Sequence, residues 1–282
     1  MKAHKPTTPG RRGMTRISYK SALSGDKPLK KLTKGFKRGT GRNNAGRITT
    51  RHKGGGVKRS YRDIDFKYDK RDIPAKIETI EYDPNRSAFI GVALYADGER
   101  RYVVVSGTTK VDDTFIVSES KDVKVRLGNR LPIGNMSVGT VVYNVEVKPE
   151  GGAKLARSAG NYIEVIAHDA GYTHIKMPSS EVRKVLSTCW ATVGEVSNSE
   201  HRLVVIGKAG RKRHMGIRPT VRGSAMNAVD HPYGGGEGKA GRGRRRAISK
   251  WGKPTGIGQK SRRPKKYSNK LIVNRRKVGK RK

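Results

Sequence analysis

Between residues 60 and 200 the chain alternates apolar and polar positions with the period of two expected of half-buried strands. Ala75–Tyr82 forms one such run. Ala88–Tyr95 and Arg100–Val105 form a pair around Asp97-Gly98, a strong two-residue hairpin signal. Phe115–Ser118 and Val123–Leu127 follow. About five short strands in about 70 residues suit a small closed barrel, and the OB-fold is the common five-stranded form.

Residues 131–200 repeat the theme with different strands. Val141, Tyr143, Val145 and Val147 alternate with Val142, Asn144 and Glu146, which predicts one continuous strand. Tyr162–Ala167, His174–Met177, Val182–Leu186 and Ala191–Val196 come next, at a spacing that fits a second small barrel or sandwich. Leu131-Pro132 marks the expected join. No stretch has the 3.6-residue period of a long helix. The predicted organisation is a basic N-terminal extension (1–59), an OB-fold-like domain (60–130), a second barrel (131–200) and a basic C-terminal extension (201–282). After the short apolar run Leu203–Ile206, and from Gly207 on, that last segment is rich in Arg, Lys and Gly.

Charge follows the same division. The 282 residues carry 63 Lys and Arg against 23 Asp and Glu, a net +40. Residues 1–60 hold 18 cations and one acid, Asp26; residues 61–200 hold 19 and 20; residues 201–282 hold 26 and two, Asp230 and Glu237. A charge-balanced middle therefore carries two cationic arms, which repel themselves and should bury little apolar surface. They require a polyanion, and nucleic acid is the dense one. A membrane surface would need an amphipathic helix with a continuous apolar face, which the recurrent Gly and Pro of the arms break. No apolar run is long enough to span a bilayer, and the N-terminal residues have no apolar signal region.

Conventional chemistry is sparse. Cys189 is the single cysteine, so it can form neither an intramolecular disulfide nor a cysteine-based metal site; it reads as a small buried residue beside Trp190. Histidines 4, 52, 168, 174, 201 and 214 lack metal-ligand spacing. His231 has the intrinsic chemistry of a proton carrier, but its neighbour Asp230 is too close in sequence to orient it, and no nucleophile or oxyanion site stands nearby. Hydrogen bonding to RNA, or pinning a turn before Pro232, is the expected role.

Three segments point to nucleic acid. In the first, His52-Lys53-Gly54-Gly55-Gly56 precedes Lys58, Arg59 and Tyr61. Three missing side chains let the backbone approach a phosphate closely, the cations supply charge and the tyrosine can stack; a flexible linker is the competing reading. In the second, Lys154 and Arg157 lie in a loop of small residues, 151–160, which reads equally as an ordinary exposed loop. The third spans 207–241, where Arg211, Arg213, Arg218 and Arg222 dominate and Gly234, Gly235 and Gly236 form a second glycine triplet. Guanidinium forks grip phosphates bidentately and stack on bases. The tail follows with Arg242, Arg244 and Arg245, the runs 260–266 and 274–282, and Trp251 and Tyr267, each readable as stacking or as local packing.

Taken in order, these residues resemble bacterial-type ribosomal protein two of the large subunit. The resemblance rests on Thr7-Thr8-Pro9-Gly10-Arg11-Arg12, Arg51-His52-Lys53-Gly54-Gly55-Gly56, Asp63-Ile64-Asp65-Phe66, Glu81-Tyr82-Asp83-Pro84-Asn85-Arg86, Tyr95-Ala96-Asp97-Gly98, Leu155-Ala156-Arg157-Ser158-Ala159-Gly160, Arg218-Pro219-Thr220-Val221-Arg222-Gly223, Met226-Asn227 and Val229-Asp230-His231-Pro232. Tyr233 stands where the family usually has a second histidine, and Ala228 where it often has proline. The resemblance implies a mainly β fold: an OB-fold barrel followed by an SH3-like barrel, with long irregular basic extensions threaded into large-subunit rRNA. It implies a primary rRNA-binding constituent of the bacterial cytoplasmic ribosome that supports subunit assembly and touches neighbouring ribosomal proteins. It also implies a bridge to small-subunit rRNA and a 220–240 segment directed toward the peptidyl transferase region. Arg11, Arg12, Arg51, Met226, Asn227, Asp230 and His231 join the candidate rRNA contacts on that basis. No cofactor, membrane or homo-oligomer is expected, and Mg²⁺ at the interface would be held mainly by RNA. The alternatives are a nucleic-acid-modifying enzyme with basic arms, which would need a polar catalytic cluster in the neutral middle, and a DNA-compacting protein, which would prefer duplex DNA over folded rRNA.

Overall fold

In the computed structural model, which describes residues 1–25, 27–35, 37–120, 122–238, 241–256 and 262–276, short antiparallel strands supply most of the regular structure, with single helical turns between them. Asp26, residues 260–261 of the cationic run and residues 277–282 of the tail lie outside the described residues. By compactness the chain forms two units. One comprises residues 1–37, 58–208 and 270–282; the other comprises 38–57 and 209–269.

The first unit opens with strands β1 (Lys2–Ala3) and β2 (Thr15–Arg16), paired across the helical turn α1 (Pro9–Arg12). Strand β3 (Thr33–Gly35) pairs with β4 (Ser60–Arg62). A four-stranded half-barrel follows, made of β5 (Ala75–Glu81), β6 (Ile90–Tyr95), β7 (Arg100–Val104) and β8 (Thr114–Phe115) in the order β7-β6-β5-β8. The Asp97-Gly98 hairpin forms as expected, pairing β6 with β7. The unbroken apolar character of β6 has a physical cause, since both of its faces are covered. Ala93 and Tyr95 enter one core with Val103, Val105, Phe115 and Trp190. Ile90 and Val92 enter another with Tyr102, Val104, Tyr143 and Val196.

The second half of this unit holds β9 (Arg130–Pro132), β10 (Val141–Tyr143), β11 (Val145–Glu146), β12 (Ala153–Leu155), β13 (Ile163–Asp169), β14 (Tyr172–Lys176), β15 (Val182–Leu186), β16 (Trp190–Val193) and β17 (Ile272–Asn274). Seven of them form one sheet, β17-β15-β14-β13-β10-β16-β9, while β11 pairs with β12. Cys189 is fully buried in the core of this half, and burial pushes its thiol up to about 11. The fold class is the one expected from the sequence, mainly β with an OB-like half-barrel followed by an SH3-like barrel.

Three local expectations are corrected. Val123–Leu127 is not a strand: the Asn129 amide donates to the Lys124 carbonyl (3.1 Å) and the backbone N–H of Asn129 donates to the Arg126 carbonyl (3.0 Å), holding a turn. Leu131-Pro132, at the expected join, lies in β9, the first strand in chain order of the seven-stranded sheet, and pairs with Ala191 and Trp190. The single strand expected over Val141–Val147 is broken at Asn144, which has φ +50°. Its carbonyl accepts from the buried Arg130 guanidinium (2.8 Å) and its amide donates to the Tyr68 hydroxyl (3.1 Å). Lastly, the N-terminal arm buries more apolar surface than its charge predicts. Met14 and Ile17 are buried, Leu23 packs on one core, and Leu29 and Leu32 pack on another. The Leu29 N–H donates to the Tyr102 hydroxyl at 2.8 Å, and that hydroxyl donates to Glu81 at 2.7 Å.

Candidate nucleic-acid interface

The second unit is built from the cationic segments that flank the barrels. Residues 38–57 and 209–269 contain 22 Lys and Arg and two acids, Asp230 and Glu237, a balance of +20. Among its described residues no apolar side chain is buried; only Gly216, His231 and Ser268 are. Backbone pairing holds it instead. The Gly54 N–H donates to Gly216 C=O (2.8 Å), the Val57 N–H to His214 C=O (2.9 Å) and the Arg218 N–H to His52 C=O (3.1 Å), while Lys53 and Ile217 form an antiparallel bridge. Arg38, which the sequence did not single out, donates to Gly55 C=O at 2.8 Å.

This pairing gives Gly56, the last residue of the first triplet, a physical reason within the protein itself. Gly56 has φ +66°, and a side chain there would place Cβ 2.6 Å from the His214 oxygen. Gly216, with φ +85°, would place one 2.9 Å from the Gly54 oxygen. The close approach these glycines permit is between two protein backbones. At Gly55 a Cβ would meet nothing within 4 Å.

Past the helical turn α2 (Ala209–His214), which carries Arg211 and Arg213, the 223–235 segment folds around His231. The His231 and Asp230 N–H groups donate to Asn227 C=O (3.3 and 3.0 Å), the Gly234 N–H to His231 C=O (2.8 Å) and the Gly235 N–H to Met226 C=O (3.0 Å). His231 is 9% exposed. Its Nδ1 accepts from the Tyr233 N–H at 3.1 Å, and the two rings lie 4.9 Å apart. A Cβ on Gly223 would meet the imidazole at 2.5 Å, and one on Gly234 would meet the Asn227 oxygen at 2.1 Å. The ring is positioned by Tyr233 and Gly223 rather than by Asp230, so His231 pins a turn. Tyr233, at the position where the sequence departs from the family pattern, accepts the Ile248 N–H at 2.5 Å through its hydroxyl.

The arginines around this turn face outward. Arg213, Arg218, Arg222, Arg242, Arg244 and Arg245 are exposed and Arg211 is half-buried, as is Gly234, whereas Gly235 and Gly236 are exposed. Among the described residues no Lys or Arg of this unit forms an ion pair with a carboxylate, whereas Lys70, Arg86, Arg100, Arg101 and Arg130 of the first unit all do. Unneutralised guanidinium groups on an outward face are what a phosphate backbone recognises.

Other expected contacts belong to the first unit. Arg12 is exposed and Arg11 half-buried on α1; Lys58 is exposed. Arg59 donates to Pro84 C=O at 2.7 Å, and Tyr61 lies in β4. Lys154 is exposed on β12. Arg157 lies over the Phe66 ring at 4.3 Å and donates to Ala153 C=O at 3.1 Å, so part of its function is to hold the loop. His168 bonds Thr173 and Met136, as a structural histidine does. Among the described residues no three His, Cys, Asp or Glu side chains cluster to hold a metal, and no helix is long and apolar enough to cross a membrane.

Two family models match this chain. Residues 29–117 match the RNA-binding N-terminal domain of the ribosomal proteins L2, and residues 126–252 match their C-terminal domain. The chain belongs to the ribosomal protein L2 family. As an L2 protein it is a structural, RNA-binding constituent of the large ribosomal subunit, part of a ribonucleoprotein that acts in translation, with rRNA and ribosome components as its partners. The L2 C-terminal match runs beyond the second barrel through the arginine-rich segment to Gly252, so that segment belongs to the family's pattern.

Proposed function

We propose that this L2 protein is a primary binder of large-subunit rRNA, with residues 1–59 and 201–282 as extensions that engage the RNA and 60–130 and 131–200 as the two barrels between them. The observation that carries this reading is the second unit, which holds 20 net positive charges and, among its described residues, no buried apolar side chain. Without a core to offset ordering entropy, such a unit gains its fixed shape from the partner that neutralises it. The RNA contacts are assigned to Arg11, Arg12, Arg51–Gly56, Lys58, Arg59, Tyr61, Lys154, Arg157 and the arginines from 211 to 245, with the Met226–Gly236 turn inserted between RNA segments.

On this reading the protein supports subunit assembly, bridges to small-subunit rRNA, contacts neighbouring ribosomal proteins and shapes the surroundings of the peptidyl transferase centre in a bacterial cytoplasmic ribosome. It acts as a monomer, with no cofactor of its own and with interface Mg²⁺ held by RNA. It is not an enzyme, and His231 serves architecture. The deciding experiment is retention of the full chain on large-subunit rRNA and on duplex DNA across a salt series. Preference for the rRNA, with a log-affinity slope against log salt of about −7 to −9 for about ten phosphates, supports the proposal. Preference for duplex DNA at physiological salt would replace it with DNA compaction.

A further inference from the structure

The two tryptophans of this chain both lie under arginines, yet in opposite settings. Trp190 is 6% exposed, with the Arg71 guanidinium 5.1 Å from its ring centre. It belongs to a core. Trp251 is 67% exposed, with Arg51 at 5.3 Å and the Lys250 ammonium at 5.6 Å from its ring centre. No core claims it.

The backbone holds Trp251 out deliberately. Residues 247–255 form a tight hairpin: the Thr255 N–H donates to Ala247 C=O (2.7 Å), the Ser249 N–H to Lys253 C=O (2.8 Å) and the Gly252 N–H to Ser249 C=O (2.9 Å), with Ile248 bridged to Pro254. Trp251 sits at its tip, beside Gly252 at φ +73°. The base of the hairpin is tied to the His231 turn through the Tyr233 hydroxyl, which takes the Ile248 N–H. An exposed indole costs solvation free energy that a surface lysine at the same tip would not. The segment 241–256 has no acid and holds Arg242, Arg244, Arg245, Arg246, Lys250 and Lys253.

We propose that the 247–255 hairpin is a base-stacking finger, in which Trp251 receives the face of an unpaired nucleobase of RNA while Arg51 and Lys250 answer the adjoining phosphates. A flat aromatic surface open to solvent and ringed by cations is the chemistry that holds single-stranded nucleic acid. A base paired within a helix keeps its faces against its neighbours, so the finger reads loops, bulges or ends. The inference deepens the rRNA-binding reading and rests on it.

Indole fluorescence of the full chain tests it, because Trp190 is shielded and the Trp251→Ala variant isolates its contribution. Titration with a single-stranded RNA oligonucleotide is expected to quench the Trp251 emission, and the fully paired duplex of the same sequence is not. Trp251→Ala should weaken single-strand binding by about 5- to 150-fold, and Trp251→Tyr should restore most of it. If the oligonucleotide binds with the usual salt dependence while Trp251 emission and Trp251→Ala affinity stay unchanged, the finger is refuted and general rRNA binding stands. Equal quenching by the duplex refutes selectivity for unpaired bases. Failure of the wild-type chain to bind any RNA at low salt refutes both readings.

Discussion

The Nδ1 atom of His231 accepts a hydrogen bond from the backbone N–H of Tyr233 at 3.1 Å. A ring nitrogen in that role carries its lone pair toward the donor, which leaves the ring proton on Nε2. The imidazole is thereby tied to its own turn, with Gly223 against its face.

Adding a methyl group at Gly223 should therefore act through His231. Gly223→Ala would force a Cβ to within 2.5 Å of the ring, and overpacking of this kind costs about 1–3 kcal/mol. The expected result is weaker rRNA binding with an unchanged urea midpoint for the barrels. His231→Ala should likewise lower incorporation into subunits while particles that do assemble still form peptide bonds. Normal assembly combined with abolished peptide-bond formation would mean that the imidazole acts in chemistry.

The Arg130–Glu146 pair is buried at both ends, with each side chain 1% exposed and a separation of 3.0 Å. Arg130 also donates to Asn144 C=O and lies 4.5 Å from the ring centre of Tyr68, whose hydroxyl burial pushes up to about 12. Glu146→Leu alone should destabilise the barrels by about 3–5 kcal/mol, since it leaves a desolvated guanidinium without its counter-charge. The double variant Arg130→Met with Glu146→Leu should regain much of that loss. Urea unfolding of the full chain measures both, and equal stability of the two variants would show that the pair is not coupled.

Acid should loosen the first barrel at its hairpin. Asp97 is held below the usual carboxylate range chiefly by the hydrogen bond from Lys70, and Glu99 and Asp69 chiefly by those from Arg101. Lowered folded values mean that the stabilisation is complete above the unfolded pKa values and is lost as pH falls through the folded ones. The urea midpoint should stay level from neutrality to about pH 5 and decline below about pH 4. Lys70→Met should flatten that decline; an unchanged acid profile would place its origin elsewhere.

The exposed arginines between 242 and 246 should act additively and without sequence preference. Each Arg→Gln substitution at 242, 244 or 245 is expected to reduce the salt slope of rRNA binding by about 0.7–0.9 if it removes one phosphate contact. A loss of affinity confined to one RNA sequence would instead mark that arginine as a base reader.

The barrels were legible because their strands obey a local rule. β15 matches its predicted range Val182–Leu186, and β6 and β7 flank the Asp97-Gly98 turn that announced them. The departures came where one distant group dictates the backbone. Asn144 breaks a regular alternation because buried Arg130 needs its carbonyl, and Asn129 turns the apolar Val123–Leu127 run away from a strand. Strand β17 adds to the edge of β15 through Ile272 and Asn274, a pairing across long separation that leaves no periodic trace in so cationic a tail. In the candidate interface the residue types were legible, but the mutual packing of the 52–57 and 214–218 backbones was not. Nothing local marks the two stretches as partners, and Arg38 is one cation among many.

The connectivity of the second unit carries a further consequence. Its two segments, 38–57 and 209–269, both begin and end in the barrel unit, so each is a loop leashed at both ends. Part of the entropy of gathering these segments is spent when the barrels fold. On the proposed rRNA-binding reading, any ordering of these segments on RNA starts from a chain already confined, and a protease cut inside either loop should slow docking even where every charge survives.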